Sequence, residues 1–127
     1  MSANFQLYKL LGDIYTSAER IRVVIEGETL ESFLNPTSMN IQDAVARRFT
    51  IIGEASAALL RKYPEFCEQH PEIPLRQARG MRNLLVHDYD GVDWEWVWDT
   101  SKKSIPQLMD AIAPFLTPPG CKFSQTP

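Results

Sequence analysis

The sequence predicts an all-α fold, an up-down bundle of four to five helices. Three observations point there. Apolar residues recur at steps of three and four through most of the 127 residues, the period of one helix face. No segment keeps the apolar–polar alternation of a strand, and no internal repeat or Gly-rich phosphate loop occurs. The strong breakers, such as Asn35-Pro36 and Asp90-Gly91, fall between the periodic runs.

The first helix is expected from about Asn4 to Glu26, because Leu7, Leu11, Ile14, Ala18, Ile21 and Ile25 form one apolar seam. Gly27 is placed to end it. Thr29 to Leu34 predicts a single turn before Asn35-Pro36, and Ser38 or Asn40 then reads as an N-cap. The second long helix is expected from about Ile41 to Lys62. Its stripe of Ile41, Val45, Phe49, Ile52, Ser56 and Leu59 is widened by Ala44, Ile51, Ala55 and Ala58. A stripe that wide suits a central helix with neighbours on two sides, the first of them an antiparallel partner. Tyr63 to Pro74 reads as a connection punctuated by Pro64, Pro71 and Pro74. A third helix is expected over Leu75–His87, and a fourth near Asp93, with Trp94, Val97 and Trp98 on one side. Pro106 breaks or kinks that helix, and Ser104 is expected to cap a fifth reaching Phe115. Residues 1–116 thus form one helical domain, and 117–127, with three prolines, one glycine and little to bury, a flexible tail.

Composition narrows the function classes. The chain is 44% hydrophobic and 23% charged, ordinary for a globular protein. No apolar run is long enough for a membrane span, and the N-terminus lacks the pattern of a signal peptide, so a cytoplasmic location is expected. Cys67 and Cys121 are too few for a disulfide framework or a zinc site, and no metal or cofactor site is expected. A net charge of −3 argues against coating nucleic acid through a general basic surface. A local basic site does exist: Arg76, Arg79 and Arg82 recur every three residues.

That cluster leads into the run Arg82-Asn83-Leu84-Leu85-Val86-His87-Asp88-Tyr89, which holds one of the two histidines. Arginine grips phosphate with a fixed fork of donors, and histidine moves protons near neutral pH. Together they suffice for metal-free chemistry on a phosphodiester. On a continuous helix the two are separated by roughly 140° and about 7.5 Å of rise, so they do not share a face. Either the helix ends near Val86 and the histidine turns back, or a second copy completes the site. Cleavage of RNA through its own 2′-hydroxyl needs a base, an acid and stabilisation of charge on the phosphate. One chain offers one suitable histidine and a twofold dimer offers two. Asn83 is placed to bond a phosphate or orient a histidine, and Asp88 to orient the histidine or cap the helix. His70 reads as a surface residue. Glu54 is either exposed or paired with an arginine of the third helix. Trp96 lies on a different face from Trp94 and Trp98, which suits core and interface roles better than base stacking. On spacing alone, an Arg-x4-His pair also occurs by chance.

The flanking stretches add specificity. Ile41-Gln42-Asp43-Ala44-Val45, Ile51-Ile52-Gly53-Glu54-Ala55, Pro71-Glu72-Ile73-Pro74 and Gly80-Met81-Arg82-Asn83-Leu84-Leu85-Val86-His87-Asp88-Tyr89 occur in that order. In them the chain resembles a HepT-like toxin of the HEPN superfamily, over roughly Ile41 to Met109. Leu75 departs from the family pattern, which usually has tryptophan after the proline. The resemblance implies a homodimeric, metal-independent endoribonuclease that is the toxin half of a toxin–antitoxin pair. Its Arg-x4-His-x-Tyr motif falls on Arg82, His87 and Tyr89. The expected catalytic residues are Arg82, His87 and Asn83, with Arg76 and Arg79 contributing RNA affinity. The implied partner is an MntA-type nucleotidyltransferase, which neutralises such toxins by transferring AMP onto the motif tyrosine, here Tyr89. The competing expectation is a non-enzymatic helical module that binds a nucleotidyltransferase and a nucleotide.

Overall fold

The computed structural model describes residues 2–116, with side chains from residue 5 onward. The expected flexible tail, 117–127, and Cys121 lie outside the described residues. The described chain is all-α: α1 (Ser2–Ile25), α2 (Leu30–Leu34), α3 (Met39–Lys62), α4 (Pro64–Gln69), α5 (Leu75–His87), α6 (Trp94–Asp99) and α7 (Ile105–Leu116). No strand occurs among the described residues, and no described helix is long and apolar enough to cross a membrane.

The predicted seam of α1 is the core. Leu7, Leu11, Ile14, Ala18, Ile21 and Ile25 are all buried, each worth about 1.5–3 kcal/mol for a full-sized side chain. Gly27 ends the helix at φ +82°, a left-handed conformation that glycine adopts without steric cost. α2 opens with a capping box. Thr29 Oγ1 accepts from the Ser32 amide at 3.1 Å, and Ser32 Oγ accepts from the Thr29 amide at 2.8 Å. Ser38 holds the position before α3 but makes no cap bond there. Its hydroxyl instead donates to the Ser32 carbonyl at 2.6 Å. The preceding 3-10 turn, Pro36–Ser38, is capped by Asn35, whose Oδ1 accepts from the Thr37 amide.

α3 runs through the middle and packs on both α1 and α5. Val45, Phe49, Ile52, Ser56 and Leu59 of its stripe are buried, as is Ala55 beside it. α1 and α3 are antiparallel, since Tyr63, just past the end of α3, donates to Gln6 near the start of α1 at 3.4 Å. The α3–α5 contact depends on Gly53. A Cβ built there would stand 2.1 Å from Arg82 Cβ and 2.8 Å from the Ala78 carbonyl oxygen. No larger residue lets the two backbones come so close.

Two connections differ from expectation. The proline-rich stretch after Lys62 contains a helix, α4, begun by Pro64 at its first turn, where a missing N–H costs nothing. His70, expected on the surface, is half-buried between Phe66 (ring centroids 4.6 Å) and Phe115 (4.7 Å), with Nδ1 3.2 Å from Glu72. At the other end, Ser104 does not cap a separate helix. The chain stays helical from α6 into α7 through a π-helical segment, Thr100–Ser104. Pro106 has no N–H to offer an α-helical ladder. The wider turn absorbs that loss: the Ile105 amide bonds back five residues to the Thr100 carbonyl. Trp94 and Trp98 pack on wholly buried Phe33 at 6.2 and 5.3 Å between ring centroids, pinning α2 to α6.

Gly53→Ala is expected to destabilise the protein by about 1–2 kcal/mol, overpacking outweighing the better helix propensity of alanine. Gly12→Ala, where an added Cβ meets nothing within 4 Å, is expected to stabilise by about 0.5–1 kcal/mol. Thermal denaturation of the two variants should shift Tm by several degrees in opposite directions.

Candidate functional site

α5 presents two faces. Leu75, Met81 and Leu85 are buried and Ala78 and Arg82 half-buried, so this side lies on α3. Arg76, Arg79, Asn83, Leu84, Val86 and His87 are exposed. The helix continues through His87, and the Asp88 amide closes it on the Leu84 carbonyl at 2.9 Å. The histidine therefore does not turn back toward Arg82. Of the two ways to unite the pair, the one within a single chain is not what this fold does.

Arg82 is held from both sides. Its Cβ rests in the notch left by Gly53, and its Nη1 donates to Asn83 Oδ1 at 2.7 Å. With its oxygen so occupied, Asn83 is left with an amide NH₂ to donate. Arg82 Nε is buried and has no acceptor among the described residues. Arg79 lies one turn before Arg82. Arg76 lies near Cys67, whose thiol burial pushes up and Arg76 pulls back. Eleven residues on a helix put His87 about 16 Å along the axis from Arg76, a separation of two to three nucleotides of extended strand. The arginines thus line a strip rather than a single point.

Past His87 the chain makes a 3-10 turn, Tyr89–Gly91. The Asp88 carboxylate folds over Gly91, where any Cβ would stand 2.6 Å from it. Tyr89 sits at the front of this turn, its ring edge-on to Trp94 at 5.4 Å. Its hydroxyl donates to Asp43 of α3, forty-six residues away. Partial burial, then the hydrogen bond and charge of Asp43, then the charge of Asp90 push the phenol up to about 12. Tyr89 is still 39% exposed.

Two pockets, of about 520 and 290 Å³, open on the surface, the smaller against Ala78 and Met81 of α5, and neither is lined by Arg82, Asn83, His87 or Tyr89. The motif occupies open ground. That shape suits a polymer or a protein better than an enclosed small molecule. No group of His, Cys, Asp and Glu suited to hold a metal occurs among the described residues.

Comparison with known proteins agrees with the motif. The family model for HepT-like ribonucleases (Ribonuclease HepT-like) matches residues 14–114. The chain belongs to this family. A protein of Methanocaldococcus jannaschii whose name joins gamma-glutamylcyclotransferase with an RNase is 39% identical over 103 residues, 80% of this chain and 44% of its own length. A second protein of that organism, named as an RNase, is 40% identical over 79 residues, 61% of this chain and 60% of its own. The "Probable ribonuclease HepT" of Thermococcus cleftensis is 40% identical over 98 residues, covering 77% and 84%. The chain thus spans about half the length of the first two. No solved structure matches it.

Arg82, His87 and Tyr89 fall on three different settings here: a helix face, a helix end and a turn. Two further residues carry the arrangement without having drawn notice as chemistry. Gly53 is a glycine in mid-helix, which costs about 1 kcal/mol against alanine and so signals close packing. Asp43 gave no such signal, because only the fold brings it to Tyr89. Glu54 is exposed and forms no ion pair among the described residues.

Tyr89 is expected to ionise only near pH 12 in an absorbance titration at 295 nm. A raised folded pKa means that stability held by the neutral phenol is intact below about pH 10, its unfolded value, and is lost as pH climbs to about 12. Tyr89→Phe should remove both the late spectral phase and that alkaline loss.

Proposed function

We propose that this protein is a toxin that cleaves RNA without a metal, acting in the cytoplasm as a homodimer. Arg82 holds the scissile phosphate, Asn83 adds an amide donor, and His87 serves as base or acid. Arg76 and Arg79 bind flanking phosphates. The observation that carries this reading is the preset Arg82–Asn83 pair beside an exposed histidine in a HepT-like chain. The guanidinium end of Arg82, tied to Asn83 through Nη1, is the part that would meet a phosphate. Charge-assisted bonds of this kind are the strong ones, and they count most where charge develops on the phosphate.

The dimer supplies what one chain lacks. His87 ends α5 on a side that Arg82 does not share, so a twofold axis beside α5 would bring two histidines and two arginines around one cleft. Leu84 and Val86, 51% and 53% exposed on either side of Asn83 and His87, offer apolar surface for that contact. An MntA-type nucleotidyltransferase is the proposed antitoxin, adding AMP to Tyr89. The added phosphodiester would place negative charge and bulk beside the motif and exclude the substrate phosphate.

His87→Ala and Arg82→Ala are expected to lower RNA cleavage by at least 100-fold and to abolish growth inhibition, with unchanged melting of the His87→Ala protein. His87→Ala protein that cuts RNA at the wild-type rate would overturn the assignment. It would favour the non-enzymatic module, as would wild-type protein that binds the nucleotidyltransferase but cuts no RNA. The double variant Arg76→Ala/Arg79→Ala is expected to raise KM with little change in kcat. Losing two phosphate contacts should flatten the slope of log affinity against log salt by about 1.4.

A further inference from the structure

The hydrogen bond from Tyr89 to Asp43 has no part in holding a phosphate. It joins an exposed carboxylate on α3 to the tyrosine beside the motif. We propose that Asp43 is the proton acceptor when AMP is transferred onto Tyr89. The inference rests on the reading of Tyr89 as the acceptor of AMP.

A neutral phenol is a weak nucleophile, and a side chain already bonded to its O–H is the group placed to activate it. Asp43 makes the one hydrogen bond to the Tyr89 hydroxyl among the described residues. The rival groups are otherwise engaged. The Asp88 carboxylate lies over Gly91, Asp90 acts on Tyr89 through its charge alone, and His87 bonds nothing there. The tyrosine ring is steadied by Trp94, and Trp94 by buried Phe33, so the phenol is held in line with the carboxylate. With the phenol at about 12, phenolate is scarce at neutral pH, and the proton has to leave during the transfer itself. An aspartate accepting a hydroxyl proton as phosphorus is attacked is established chemistry for phosphoryl transfer.

The step balances. Tyr89 Oη attacks the α-phosphorus of ATP and forms the new O–P bond. The bond from that phosphorus to the bridging oxygen breaks, and its electron pair leaves with pyrophosphate. The phenolic proton passes to Asp43 and then to water. The ester oxygen has no hydrogen left to donate, so the modified side chain loses its tie to α3.

The test is intact-mass kinetics of the full chain with an MntA-type nucleotidyltransferase and Mg-ATP, on wild type, Asp43→Asn, Asp43→Ala and Tyr89→Phe. Both Asp43 variants should take up AMP roughly 100-fold more slowly or worse at pH 7. The Asp43→Asn rate should climb about tenfold per pH unit, because phenolate must then form in solvent, while wild type stays nearly flat from pH 7 to 9. Asn still accepts the hydrogen bond but is no base. An Asp43→Asn protein within threefold of wild type would therefore show orientation only and overturn the proposal, whatever Asp43→Ala does. Because Asp43 is exposed and Asn is isosteric, melting by circular dichroism should match wild type. Wild type gaining no AMP, or Tyr89→Phe gaining it, would overturn the reading of Tyr89 itself, an outcome distinct from failure at Asp43.

Discussion

The close approach of α3 and α5 at Gly53 is the constraint on which the rest depends. Arg82 leaves α5 at the point of nearest contact, so the missing side chain on α3 is the space its stem occupies. Leu75, Met81 and Leu85 bury against the same helix and set the rotation of α5. That rotation turns Asn83 and His87 outward and leaves Arg82 half in, half out. A guanidinium with a buried stem and a bonded Nη1 has lost most of its rotamer freedom before a ligand arrives. A phosphate meeting it need not bear that ordering cost.

The charges about the motif are segregated by this geometry. Arginines occupy the length of α5, while Asp43, Asp88 and Asp90 gather around the turn that follows it. The cationic strip is where a phosphate is welcome. The acidic turn keeps the Tyr89 phenol protonated and joined to α3. Opposite fields therefore stand only a few residues apart. The π-helical turn before Pro106 has a related supporting role: it carries α6 into α7 without a break, so Trp94 and Trp98 stay seated on Phe33 and hold the turn in place.

The motif lies on exposed surface: Asn83, His87 and Tyr89 are all exposed. Neither pocket is lined by Arg82, Asn83, His87 or Tyr89, and the exposed apolar residues on α5 stand beside the histidine rather than under it. In a single chain the Arg-x4-His spacing keeps the two side chains apart, since the helix runs unbroken through His87. Association through α5 would unite them without altering either helix.

Much of this was legible from residues alone. The apolar seams of α1 and α3, the glycine stop at Gly27 and the span of α5 follow from periodicity and caps, which are local properties of the chain. So does the presence of an arginine, a histidine and a tyrosine in one run. What the local signals could not supply were α4, read as a proline-rich loop, and the π-helical passage, read as a break. In both, the local backbone accommodated a proline easily taken for a stop: Pro64 opens a helix at its first turn, and a widened turn takes up Pro106. Nor could they place Asp43 against Tyr89 or reveal why Gly53 is a glycine. Those are contacts between residues 46 and 29 positions apart. Periodicity determines which face of a helix is buried. Which residue of another helix it meets is decided only when the helices pack.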